Sequence, residues 1–269
     1  MSSARSAPLY DNIGVHYDST RRADPHLTER LAHNLALRPG GRYLDIACGT
    51  GNYTHALAEK GGDWYGVDVS SGMLRRAQAK GANVGFLLGD AAALPFRDGS
   101  FDGAICTMAL HHLPRLEPVY SEIRRLLRGG KLVMFTSTAE QMAGYWLNEY
   151  FPIAMQRSTA QMPSQATILE ALAAADLSVD RQELYDVRED LEDLFLYAGK
   201  RRPELYLSAT IRRGISTFST VAEPAELEAG TLRLARDISS GKIKEVAQRY
   251  ANQGGDYMFI VASRSARRG

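Results

Sequence analysis

Short apolar runs separated by amphipathic stretches recur along the first half of the chain, and this alternation constrains the fold more than any other feature. Candidate strands lie at 42–48 (RYLDIAC), 64–69 (WYGVDV), 84–89 (VGFLLG), 102–108 (DGAICTM) and 131–137 (KLVMFTS). Turn residues bound them, among them the pairs at 40–41, 61–62, 98–99 and 129–130. The stretches 52–60, 71–80 and 116–128 read as helices. The last of these puts Val119, Ile123, Leu126 and Leu127 on one face and ends in basic residues before a glycine pair, as a helix C-terminus does. Upstream, DPHLTERLAHNLAL reads as a leading helix with Asp24 as N-cap and Pro25 in its first turn. Strands alternating with helices of this length predict an α/β fold whose strands run parallel through crossover helices.

After residue 138 the rhythm changes. A helix near 164–175 and a strand at 179–187 continue the pattern, 189–253 reads as mainly helical, and a last strand, DYMFIVAS, spans 256–263. Within the helical part, EDLEDLFLYAGKRRP has acids first, then Gly199, three bases and Pro203, which together start and stop one helix. The expectation is a doubly wound, mostly parallel, seven-stranded sheet with helical lid insertions in the C-terminal half. The chain divides as 1–138 (core with an N-terminal lid segment), 139–255 (remaining core and substrate lid) and 256–269 (final strand and tail).

A chain of 269 residues with 45% apolar composition can bury a full core. Its 32 basic and 31 acidic side chains give no overall basic field, which argues against nucleic acid as a partner. The N-terminus has no signal-peptide core, and no run approaches the roughly 18–20 apolar residues of a membrane span, so a cytoplasmic protein is expected. Cys48 and Cys106 sit in apolar segments without a Cys/His cluster and are expected as buried thiols, with no metal site.

The glycine turn in YLDIACGTGNYT, 43–54, narrows the ligand. A dinucleotide site uses G-x-G-x-x-G with a helix N-terminus facing pyrophosphate. Here Gly49-Thr50-Gly51 is followed by Asn52, Tyr53 and Thr54, and the third glycine is missing. Asp45, just upstream, would repel a pyrophosphate and attract a cation. S-adenosylmethionine, with an ammonium and a sulfonium but no phosphate, matches both features.

At LDIACGTGNY the sequence resembles the class I S-adenosylmethionine-dependent methyltransferases, and three further stretches agree in order and spacing over about 42–137. The resemblance implies a Rossmann-like fold and cofactor contacts at Asp45, Ala47, Gly49 and Gly51. In YGVDVSSGML it implies that Asp68, 19 residues after Gly49, accepts the ribose hydroxyls, with Val69 and Met73 beside it. In LLGDAAALPF it implies that Asp90 and the Ala91 N–H meet adenine, and in FDGAICTMALHHL that Thr107 and Met108 pass under the methionine moiety. The segment HYDSTR also looks like a family feature, implying that Tyr17 closes over the cofactor and that Arg21 meets its carboxylate or the substrate.

Methyl transfer from a sulfonium is an in-line displacement for which proximity and water exclusion supply most of the effect. A base matters only where the acceptor must lose a proton, and His111 and His112, just past the fourth strand, are both candidates. The strand ends in TMAL, not in the Asn/Asp-Pro-Pro-Tyr/Phe run of enzymes that methylate planar amino groups, and no Pro-Cys motif or acidic metal cluster follows it. The C-terminal half carries aromatics, including Trp146, Tyr150, Phe151, Phe195, Tyr197 and Tyr206, and bases, including Lys200, Arg201, Arg202, Arg212 and Arg213. From these, Trp146, Tyr150, Tyr197, Tyr206, Arg212 and Arg213 are taken as an apolar substrate pocket with a cationic rim. The expected function is methylation at C, O or N of a small aromatic, prenyl or otherwise lipophilic metabolite, of the kind met in quinone biosynthesis, with S-adenosylhomocysteine as co-product. The competing expectations are a non-transferring cyclase or regulatory module of the same fold, and a macromolecule methyltransferase.

Overall fold

The computed structural model describes residues 17–81 and 83–265. Each apolar run becomes a strand: β1 (Arg42–Ile46), β2 (Asp63–Asp68), β3 (Val84–Leu88), β4 (Phe101–Thr107), β5 (Leu127–Thr136), β6 (Leu177–Tyr185) and β7 (Tyr257–Arg264). They form one sheet in the order β3-β2-β1-β4-β5-β7-β6. The first five are parallel, whereas β7 runs antiparallel to both β5 and β6. This is the seven-stranded, mostly parallel, Rossmann-like sheet expected.

Both faces of the central strands are covered, so their burial is nearly continuous rather than alternating. On one face, Leu27, Leu31 and Leu35 of the helix Pro25–Leu35 pack with Tyr43, Trp64 and Ile105. On the other, Val119, Ile123 and Leu126 of the helix Leu116–Leu126 pack with Leu44, Ile46 and Ala104. The leading helix starts as its sequence requires, with the Asp24 carboxylate accepting from the Leu27 N–H at 2.9 Å and Pro25 in the first turn.

β1 has β2 on one side and β4 on the other, so the strand order reverses between β1 and β4. Ligands in open α/β sheets bind in the crevice beyond the carboxyl ends of the strands at such a switch point. Two short helices of the second half, Ala139–Ala143 and Pro152–Thr159, also line this crevice, through Met142 and Ser158, together with Thr217 of a π-helical turn at Thr217–Val221.

Two expectations are corrected. The glycine pair at 129–130 does not precede β5 but lies within it, where the pairing with β4 shifts register between Phe101 and Gly103. A Cβ on Gly130 would sit 1.6 Å from the Asp102 carbonyl oxygen, so the strands approach there only through glycine. The stretch EDLEDLFLYAGKRRP makes no α-helix before the 3-10 turn Pro203–Leu207. Leu191, Asp193, Phe195 and Tyr197 are buried while Glu192 is exposed, a period near two that suits an extended path. Three of its N–H groups bond outside the stretch: Glu192 to the Asp24 carboxylate (2.9 Å), Leu194 to the Thr20 carbonyl (3.1 Å) and Tyr197 to the Tyr257 hydroxyl (3.2 Å).

Candidate active site

The turn after β1 is set by backbone conformation. Gly49 and Gly51 have φ of 55° and 69°, in the left-handed region that glycine enters without penalty. A Cβ on Gly51 would meet Phe86 Cζ at 2.9 Å, whereas one on Gly49 would meet nothing within 4 Å, because Gly49 faces the cavity at the switch point. Among the described residues four without that freedom adopt the same region: Ala36 and Asp176, which follow helices, and Ala47 after β1 (φ 55°) and Met108 after β4 (φ 56°). Left-handed backbone costs a non-glycine residue roughly 1–2 kcal/mol. Ala47 and Met108 both line the cavity, so backbone held in this region forms part of its wall.

The cavity there has a volume of ≈ 410 Å³. Three carboxylates reach it from successive strand ends: Asp45 in β1, Asp68 at the end of β2 and Asp90 after β3. Asp68 is held by the backbone, its carboxylate accepting from the Gly49 N–H at 2.9 Å and from the Ser70 N–H at 2.8 Å. Asp90 accepts from the Ala92 N–H at 2.9 Å. Asp45 is buried and accepts from the Thr54 hydroxyl at 2.6 Å. Burial, opposed by that hydrogen bond and reinforced by the Asp68 charge, pushes its pKa up to about 7. Among the described residues no lysine lines the cavity. The two guanidiniums on the cavity, Arg21 and Arg115, are paired with Asp193 and Glu117, so a phosphate would meet repulsion from the three carboxylates, and a sulfonium or ammonium attraction. With the bare backbone at Gly49, these residues fit S-adenosylmethionine.

The expected cofactor residues converge. Ala47, Val69, Met73 and Ala91 line the same cavity as the three carboxylates, and so do Thr107, Met108 and Arg21. Gly51 lies behind the wall and caps the helix Asn52–Ala58. Tyr17 begins a helical turn, Tyr17–Thr20, and its side chain lies outside the described residues.

The expected substrate residues do not converge. Trp146, Tyr150, Tyr197 and Tyr206 are core side chains, each at most 2% exposed, and none lines the cavity. Aromatic surface this large is worth more packed against its own kind, as in the Trp146–Tyr206 pair with centroids 5.5 Å apart. Arg212 donates to the Tyr206 carbonyl at 2.5 Å and Arg213 to the Thr210 hydroxyl at 3.3 Å, and neither lines the cavity. Lys200 is held by Asp256, and Arg201 and Arg202 donate to the carbonyls of Val187 and Leu191, so these bases clamp loops and form no rim. Cys106 is buried as expected, while Cys48 is half-buried on the cavity wall.

The cavity is also lined by residues the sequence did not single out, among them Met142, Ser158, Met162 and Ile215, and by Phe195. A polar cluster stands beside them. Arg21 donates to both oxygens of buried Asp193, at 2.5 and 3.2 Å, and the Tyr53 hydroxyl donates to the same carboxylate at 3.1 Å. His111 and His112, in the turn Leu110–His112, also reach the cavity, with ring centroids 3.8 Å apart. Burial, helped by His112 and Arg21, lowers the His111 pKa to about 3, and its buried Nδ1 has no hydrogen-bond partner in the protein. Among the described residues no three metal-ligating side chains cluster, and no helix is long and apolar enough to cross a membrane.

Known proteins resemble this chain in sequence and fold. A family profile described as a methyltransferase domain matches residues 44–135, from β1 to the end of β5. A demethylmenaquinone methyltransferase of Beutenbergia cavernae is 32% identical over 161 residues, 55% of this chain and 67% of that protein. A 24-methylenesterol C-methyltransferase of Oryza sativa is 36% identical over 121 residues, which cover 42% of this chain but only 33% of that protein. Among solved structures, a protein of Anabaena variabilis described as a methyltransferase from an antibiotic biosynthesis pathway superposes with a TM-score of 0.80 at 33% identity, covering 90% of this chain and 98% of that one. The profile covers the strands that carry the glycine turn and the carboxylates, the structural likeness extends over the second half, and the chain therefore belongs to the S-adenosylmethionine-dependent methyltransferases of the class I, Rossmann-like fold.

Proposed function

We propose that this enzyme methylates a C, O or N atom of a small, largely apolar metabolite seated between His111–His112 and the wall formed by Met142, Met162, Phe195 and Ile215. The observation that carries this reading is that one cavity is lined both by the carboxylates Asp45, Asp68 and Asp90 and by the apolar side chains Met142, Met162, Phe195 and Ile215. S-adenosylmethionine supplies an electrophilic methyl group when bound. On this reading Asp68 orients the ribose, Asp90 and the Ala91 N–H hold the adenine, Asp45 and Arg21 face the charged groups of the methionine end, and Tyr17 closes the site. Two named relatives, by their names, act on demethylmenaquinone and on a methylenesterol, both apolar acceptors, which supports an apolar acceptor here.

A buried imidazole whose pKa is depressed to about 3 is a poor proton sink, so His111 is proposed to orient the acceptor by hydrogen bonding. His111→Asn is expected to lower kcat about 100-fold through lost alignment, with cofactor affinity unchanged. Because His111 stays neutral down to about pH 3, wild-type kcat should show no titration of this group between about pH 5 and 8. A limb in that range that disappears in the variant would overturn the orienting role.

The reading itself is tested with methyl-labelled S-adenosylmethionine and a metabolite extract. Label is expected in a small product that partitions into organic solvent, with stoichiometric S-adenosylhomocysteine. Label confined to macromolecules, or no label at all, would show that the acceptor class is misassigned.

A further inference from the structure

A second depression, of ≈ 340 Å³, lies beside the main cavity. The two share Leu113, Pro114, Arg115, Gln161 and Met162, so the loop after the two histidines and the turn after the helix Pro152–Thr159 form a partition lining both. Beyond it the groove runs between the start of the helix Leu116–Leu126 and the helix Gln165–Ala174, over Leu110, Leu116, Pro163 and Ala171. Its two charged residues, Arg115 and Glu117, face each other at 3.8 Å, so they present little net charge to an occupant.

From this shared wall we infer that the groove receives the distal part of an elongated acceptor: a neutral aliphatic tail that passes the partition and whose reacting end lies beside His111 and His112. The inference rests on the proposed apolar acceptor and deepens it. The partition is suited to passage, because Gln161 is exposed and Met162 is an unbranched side chain that re-packs at low cost. A charged tail would gain nothing from a rim whose charges are already matched, whereas each methylene laid along the leucines and prolines leaves water. Met162 and Leu113 thus select for length, and the carboxylates of the cavity select the cofactor.

The test uses 4-ethylphenol, 4-hexylphenol and 4-decylphenol, titrated by calorimetry into the protein saturated with S-adenosylhomocysteine. Wild type is expected to bind the decyl compound at least about 10-fold more tightly than the hexyl compound, well within what four further buried methylenes can supply. Thr167 is exposed on the groove, and Thr167→Trp fills it without disturbing the core. In this variant the decyl-over-hexyl gain should fall below about 3-fold while 4-ethylphenol binds as before. Equal affinity for the three compounds in wild type, or the same chain-length gain in both proteins, overturns the groove. Small-product labelling that persists in either case leaves the acceptor class standing, so the two readings fail separately.

Discussion

Asp45→Asn should make the ligand-free protein more stable at pH 8 and weaken its hold on S-adenosylmethionine. The Asp45 carboxyl is raised from an ordinary 3.8 to about 7 when the chain folds, chiefly by burial. Between those two values the folded protein holds a proton that the unfolded chain has released, so stability falls as pH rises through this window. Above about pH 7 the folded protein carries the whole cost of a buried anion. Asparagine carries none of it, so the variant should gain on the order of 2–4 kcal/mol at pH 8, a gain that vanishes toward pH 4. A cationic ligand reverses the balance, because the carboxylate then faces a charge. Wild-type affinity for the cofactor should rise with pH through about 7, whereas the variant should be flat with pH and at least about 10-fold weaker at pH 8. Thermal unfolding at pH 5 and 8, with calorimetry on the same samples, reads both effects. Undiminished cofactor affinity would mean that the carboxylate serves the turn and not the ligand.

The cofactor half of the site was legible because its chemistry sits at strand ends, where a hydrophobic run stops and one polar residue follows. Asp68 and Asp90 occupy such a place and Asp45 interrupts an apolar run one residue before its strand ends, and the strand order brings the three to one crevice although 45 residues of sequence separate the first from the last. The acceptor half was not legible, for two reasons. Its wall draws on helices of five and eight residues, Ala139–Ala143 and Pro152–Thr159, too short to show a helical period. The conspicuous residues there misled: aromatic side chains fill the core between helices, and the bases hold loop carbonyls and carboxylates. The charge pattern of EDLEDLFLYAGKRRP suggested a helix with matched ends, yet Asp193 is buried in an ion pair with Arg21, far upstream, which local sequence does not reveal.

Breaking that ion pair should be among the most damaging single changes in the molecule. Arg21 and Asp193 are both largely withdrawn from water, so Asp193→Ala leaves a guanidinium without its counter-ion, and a loss of about 3–5 kcal/mol is expected, read from the urea midpoint. The double variant Arg21→Met/Asp193→Leu removes both charges and should recover most of that stability, because two buried ions replaced by apolar side chains of similar size are often neutral in cost. Equal destabilisation of the single and double variants would show that the residues act through packing and not as a pair. Methyl transfer should not recover with stability. The Asn52 amide donates to the Arg21 carbonyl at 2.9 Å, Tyr53 donates to Asp193, and both residues open the helix that follows the glycine turn. On the same side, Lys80 bonds Asp18 and the Thr50 carbonyl, at 2.7 and 2.9 Å. One network thus holds the glycine turn, the segment at 18–24 and the extended strand-like stretch at 191–195. Apolar replacements fill the space but restore neither the Tyr53 hydrogen bond nor a guanidinium on the cavity wall, so the double variant should fold with cofactor affinity and turnover still reduced.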